Sequence, residues 1–91
     1  RMKEGKVLKN GQEVILTALE YKLLLTFLQN RGRVLSRNML LESIWDVAGD
    51  FVSDNTLSVY IKRLREKIED TPSNPKLLQT VWGVGYRLHT V

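Results

Sequence analysis

Between Asp54 and Glu69, four apolar residues recur at intervals of three and four: Leu57, Ile61, Leu64 and Ile68. Apart from Val59 and Tyr60, every other position in that stretch is polar or charged. At 100° per residue the four fall in one narrow sector, so the stretch reads as a helix with one buried face. Such a helix is stable only when its apolar stripe is covered. The fold must therefore place other elements against that side and leave the opposite side to solvent or a partner.

The rest of the chain supplies those elements. Thr17-Ala18-Leu19-Glu20 fits a capping box, in which the threonine oxygen accepts from the amide three residues on and the glutamate reaches back. The helix it starts is placed at 18–30, with Leu19, Leu23, Leu24, Phe27 and Leu28 as its stripe and Gly32 free to adopt the left-handed conformation after it. Val34-Leu35 reads as a short extended link. Ser36 caps a second helix at 37–45, with Leu40, Leu41 and Ile44 inward. Asp46 to Ser53 is a loop, and Ser53 or Asp54 caps the third helix. Pro72 and Pro75 mark the next loop, because proline cannot extend a helix. Asn10-Gly11 supplies the positive φ angles of a tight hairpin between Lys6–Lys9 and Gln12–Leu16. Leu77 to His89 reads as a second hairpin with Gly83 and Gly85 at its turn. Residues 1–5 read as a linker edge. This order describes one α+β domain, a winged helix-turn-helix with short N-terminal antiparallel strands, three helices and a C-terminal β-hairpin wing.

Composition removes several classes of function. The 91 residues contain no cysteine and one histidine, His89. A disulfide framework, a thiolate zinc site, a cysteine nucleophile and a multi-histidine metal site all lack parts. No paired acid and base stands beside a nucleophile, and Gly83-Val84-Gly85 lies in a hairpin rather than before a helix. The chain is thus read as a non-enzyme without cofactor or metal. No apolar run approaches the ~20 residues of a membrane span, and no membrane partner is expected. Fourteen Lys and Arg against ten Asp and Glu leave a formal charge of +4, which favours an anionic partner.

The outer face of the third helix localises that preference. It holds Asn55, Val59, Lys62, Arg63 and Glu66, flanked by Thr56, Ser58, Tyr60, Arg65 and Lys67. Charge alone fits a solvated face, since cations are favoured near a helix C-terminus. Val59, however, gains nothing from water, whereas in a major groove a valine contacts the thymine methyl. Arg63 can reach guanine O6 and N7 together. Lys62, Arg65 and Lys67 suit phosphates, and Asn55 and Thr56 sit where helix-end amides favour one. Glu66 either pairs with Lys62 or accepts from a cytosine amino group.

Beyond this helix, Trp82 and Val84 stand at the wing turn, either exposed for contact or folded onto their own hairpin. Tyr86 can bury its ring and offer its hydroxyl to a phosphate, and Arg87 can do likewise or pair with a carboxylate. Arg37 opens the second helix. Trp45 closes it, either as a core ring or with its indole N–H at a wet edge.

Several stretches, in this order and spacing, resemble one family. They are Leu16 to Leu24, Gly32 to Arg37, Leu40-Leu41 with Ile44-Trp45, Asp54 to Ile68, Asn74-Pro75 and Thr80 to Arg87. With the strands that flank them the resemblance runs from about residue 6 to 90, and the chain is similar throughout to the OmpR/PhoB family of response-regulator output domains. The resemblance implies sequence-specific binding of double-stranded DNA in transcription control, with 54–69 as recognition helix and 77–89 as wing. Val59 and Arg63 then occupy base-reading positions. Arg37, Trp45, Asn55, Thr56, Tyr60, Lys62, Arg65, Lys67, Thr80, Trp82 and Tyr86 occupy backbone or mixed positions. The loop of Asp46, Val47, Ala48, Gly49, Asp50, Phe51 and Val52 corresponds to the family's RNA polymerase contact. The resemblance further implies a cytoplasmic protein, head-to-tail dimers on direct repeats, and a receiver domain, absent from this chain, addressed by a sensor histidine kinase. Trp82 and Asn55 stand where many members carry arginine. The alternative function is a winged helix used for protein–protein contact through the 46–53 loop and the Trp82 tip.

Overall fold

A computed structural model describes residues 2–3, 6–48 and 54–89. The chain forms β1 (Met2–Lys3), β2 (Lys6–Lys9), β3 (Gln12–Val14), α1 (Ala18–Gln29), β4 (Val34–Ser36), α2 (Arg37–Ala48), α3 (Asp54–Ile68), β5 (Leu78–Val81) and β6 (Gly85–Leu88). Local signals explain most of these boundaries. Asn10 and Gly11 take φ of 52° and 80°, turning β2 into β3 with Val7 opposite Val14. Thr17 and Glu20 form the reciprocal capping box of α1. Ser36 Oγ accepts from the Met39 amide to start α2.

Three expectations require correction. Met2–Lys3, read as part of a linker edge, pairs as β1 with β2. Val34-Leu35 is not a simple link: β4 lies beside β6, with Leu35 opposite Tyr86, in a sheet of order β4-β6-β5. The second helix continues three residues beyond Trp45, so Asp46, Val47 and Ala48 are helical rather than loop. No Pro or Gly interrupts the chain before Gly49, which permits that extra turn. Gly49, Asp50, Phe51, Val52 and the candidate cap Ser53 lie outside the described residues.

One core joins the parts. Leu57, Ile61, Leu64 and Ile68 of α3 are all buried, as the spacing predicts, with Leu23 and Phe27 of α1, Leu40 and Ile44 of α2, and Leu35, Leu78 and Leu88 of the second sheet. Beside this core, Glu20 is buried and bonds the Lys67 ammonium. Burial alone would raise the Glu20 carboxyl. The Lys67 ammonium and the Thr17 amide and hydroxyl outweigh it and hold the group below its usual value.

The wing is rooted in two ways. Gly85 passes so close to β4 that a Cβ there would lie 2.0 Å from the Leu35 carbonyl oxygen. On the other side β5 is an edge strand, and Leu78 turns its backbone toward α3. Its N–H donates to Glu69 Oε2 at 2.7 Å and its C=O accepts from Arg65 Nε at 3.0 Å. Arg65 of α3 and Glu69, just past its end, thus satisfy an edge that would otherwise be open.

Candidate nucleic-acid interface

The outer face of α3 is polar except for one residue. Asn55, Ser58, Lys62, Arg63 and Glu66 are exposed, and Val59 among them is 46% exposed. The Arg63 guanidinium carbon stands 5.6 Å from the centre of the Tyr60 ring, a contact that steadies a long side chain without consuming its hydrogen-bond donors. Lys62 and Glu66 form no ion pair among the described residues, so of the two readings of Glu66 the pairing with Lys62 is not seen, and both side chains are exposed.

Lys67 is the expected phosphate contact that the structure places elsewhere. Its ammonium is turned to Glu20, on the α1 side of the helix. A cation already bonded to a buried carboxylate would leave that carboxylate uncompensated if it moved away.

The wing meets α2 and α3 around Tyr86. Its ring is buried, and the guanidinium carbons of Arg37 and Arg65 lie 5.8 and 5.7 Å from its centre. Arg37 Nη1 donates to the Tyr86 hydroxyl at 2.9 Å, and Nη2 donates to Ser58 Oγ at 3.0 Å. Arg65 Nη2 donates to Thr80 Oγ1 at 2.8 Å. Burial draws the Arg65 guanidinium below its usual value, against the opposing pull of Tyr86 and Glu69. A guanidinium nevertheless remains a cation in a protein. The hydroxyls of Thr80 and Tyr86 therefore each accept from an arginine, and each keeps its own proton to donate to an anion.

At the turn, Val84 N–H donates to the Val81 carbonyl, and Gly83 takes φ of 77°. Trp82 does not fold back on the hairpin: it is 89% exposed, with Val84 also exposed beside it. Together with Arg37, Thr80 and Tyr86 they line a concavity beside the wing. Trp45 is half exposed, so its ring is not a core residue. Arg87 donates to the Gln79 side chain in the sheet at 2.8 Å and pairs with no carboxylate among the described residues.

The outer face of α3, the start of α2 and the wing thus form one basic, hydroxyl-bearing surface. Comparison with known proteins decides what family builds it. Residues 11–88 match the family described as the C-terminal part of transcriptional regulatory proteins. The chain belongs to the OmpR/PhoB family of response-regulator output domains. It is 49% identical over 86 residues to the alkaline phosphatase synthesis regulator SphR of Synechococcus elongatus, covering 93% of this chain and 33% of SphR. It is 42% identical over 79 residues to VanR of Enterococcus faecium, covering 87% and 34%. The chain therefore spans about a third of the length of these curated relatives. Among solved structures it resembles the Thermotoga maritima OmpR/PhoB homologue DrrB, with a TM-score of 0.84, 38% identity and coverage of 93% of this chain and 38% of DrrB. It also resembles the Klebsiella pneumoniae RstA DNA-binding domain in complex with the RstA box, with a TM-score of 0.79, 27% identity and coverage of 92% and 82%. The fold is accordingly the winged helix of OmpR/PhoB DNA-binding domains.

Two roles are not legible in the sequence. Ser58, placed there only on the flank of the outer face, holds Arg37 across the helix junction, and the buried Glu69 holds the approach to β5. Neither contact follows a helical or strand spacing, so no local pattern points to it.

Proposed function

We propose that this domain binds double-stranded DNA sequence-specifically as the output domain of a two-component response regulator controlling transcription. The observation that carries the reading is the half-exposed Val59 on the outer face of α3, beside Lys62 and Arg63. An apolar contact next to a bidentate guanidinium donor suits the thymine methyl and guanine edge of a major groove. Val59 and Arg63 read bases. Arg37, Trp45, Asn55, Thr56, Tyr60, Lys62, Thr80 and Tyr86 position the backbone, and the wing with Trp82 rests on the adjacent backbone or minor groove. The RstA–DNA complex supports this placement through its shared fold.

The full regulator works in the cytoplasm as a head-to-tail dimer on direct repeats. A sensor histidine kinase acts on its receiver domain, and the segment 46–52 meets RNA polymerase. The domain itself carries no catalytic role.

Selection from a random double-stranded DNA pool at about 0.15 M salt tests the reading. Enrichment of a direct repeat supports it and identifies the operator. Salt-sensitive retention without a motif removes the base-reading roles of Val59 and Arg63. No retention at all overturns DNA binding and favours protein contact through the 46–53 loop and the Trp82 tip.

A further inference from the structure

Arg65 belongs to the recognition helix but is not on its free face. Three contacts turn it toward the wing: Nε to the Leu78 carbonyl at 3.0 Å, Nη2 to Thr80 Oγ1 at 2.8 Å, and the guanidinium carbon 5.7 Å from the centre of the Tyr86 ring. The two hydrogen bonds land on the same strand, two residues apart, and use the fork of the guanidinium as a bracket. Glu69, one turn further along, holds the approach to that strand and its first residue through the amides of Lys76, Leu77 and Leu78. Beyond Val81 only the turn remains, with Trp82 at its tip.

We infer that Arg65 is a strut that fixes the angle of the wing to the recognition helix, and that it is a positioning residue rather than a phosphate ligand. The inference rests on the DNA-binding reading for its consequence, but the strut itself is a property of the free domain. A guanidinium suits this role because its donors lie in one rigid plane. A lysine ammonium has three donors, but they radiate from a single nitrogen, so it lacks the planar fork that reaches the Leu78 carbonyl and the Thr80 hydroxyl together. With the wing held, Trp82 is presented to the duplex at a fixed distance from Val59 and Arg63. With the strut gone, the wing root survives through Gly85 and Glu69, and the outer half of the hairpin loosens.

The test uses Arg65→Lys and Arg65→Met, with Lys62→Ala as a phosphate-contact control. Backbone ¹⁵N relaxation of the free domain reads the strut without DNA. In both Arg65 variants the order parameters at Trp82, Gly83 and Val84 fall from about 0.85 toward 0.6, while those of α3 hold. Titrations with the selected operator and with a random 20-base-pair duplex read the role on DNA. Arg65→Lys binds the operator about tenfold more weakly although its charge is kept. Arg65→Met leaves the slope of log affinity against log salt unchanged, whereas Lys62→Ala lowers it by about one. An Arg65→Lys variant with native affinity and a rigid wing overturns the inference. So does a salt slope lowered by about one in Arg65→Met, the mark of a phosphate ligand. If the native domain binds neither duplex, the DNA reading fails, and the relaxation data still decide whether the strut exists.

Discussion

Glu69 offers the sharpest quantitative test of how the wing is attached. It is 4% exposed and sits one residue past the end of α3. Its Oε1 accepts from Lys76 N–H at 3.0 Å and Leu77 N–H at 3.1 Å, and its Oε2 from Leu77 N–H at 3.0 Å and Leu78 N–H at 2.7 Å. In Glu69→Ala all three amides lose their acceptor. Lys76 and Leu77 are exposed and rehydrate, so each loses only the net value of a bond, about 0.5–1 kcal/mol. Leu78 is fully buried, and its stranded N–H costs about 1–3 kcal/mol. The total is about 2–5 kcal/mol, which lowers Tm by roughly 10–30 °C in a domain of this size. Glu69→Gln keeps one oxygen but points an amide N–H₂ at backbone donors, and loses about half as much. Urea unfolding followed by circular dichroism gives the free energies. Hydrogen exchange at the Leu78 amide locates the loss. A Glu69→Ala variant within about 0.5 kcal/mol of the native domain would refute the reasoning, because the core alone would then hold the start of β5.

Three further outcomes follow from the same geometry. Gly85→Ala forces a Cβ onto the Leu35 backbone and costs about 3 kcal/mol. Gly83→Ala meets open space and costs only the left-handed strain of about 1–2 kcal/mol, so thermal melts in which the two drop equally contradict the close-approach argument. Because the Glu20 carboxyl is held low in the folded state, its contribution is fully present above its unfolded value of about 4.3 and is lost as pH falls through the lower folded value. Urea midpoints of Glu20→Gln should therefore fall below those of the native domain at neutral pH and converge with them in acid; parallel curves would show that the ion pair with Lys67 contributes nothing. On the selected operator, Arg63→Ala costs about 1–3 kcal/mol and relaxes discrimination at one base pair, whereas Lys62→Ala weakens operator and random DNA alike. Equal losses from Arg63→Ala on both duplexes would remove it from base reading.

What could be read from the chain alone was what the chain encodes locally. Thr17 with Glu20, Ser36, and Asn10-Gly11 act within three or four residues, and each forms the cap or turn its spacing implies. The stripe Leu57-Ile61-Leu64-Ile68 is likewise a property of one helix. The strand β4 was illegible because it is three residues long and its partner β6 lies near the other end of the chain. Lys67 looked like a surface cation because the buried carboxylate that claims it is on another helix. Trp45 and Trp82 allowed two readings each, since an indole suits a core as well as a wet edge. Only the packing around them leaves Trp45 half exposed and Trp82 almost wholly in solvent.

The pairing of β4 with β6 also constrains how the domain comes into being during synthesis. Leu35 leaves the ribosome well before its partner in the sheet, Tyr86, is made. The β2–β3 hairpin and the cap of α1 can form as soon as they emerge, because every contact they need is local. The central sheet cannot, and Leu35, Leu78 and Leu88 wait for one another before the core closes. The surface that meets the ligand is therefore assembled last, and a nascent chain stalled before Gly85 holds helices but no wing.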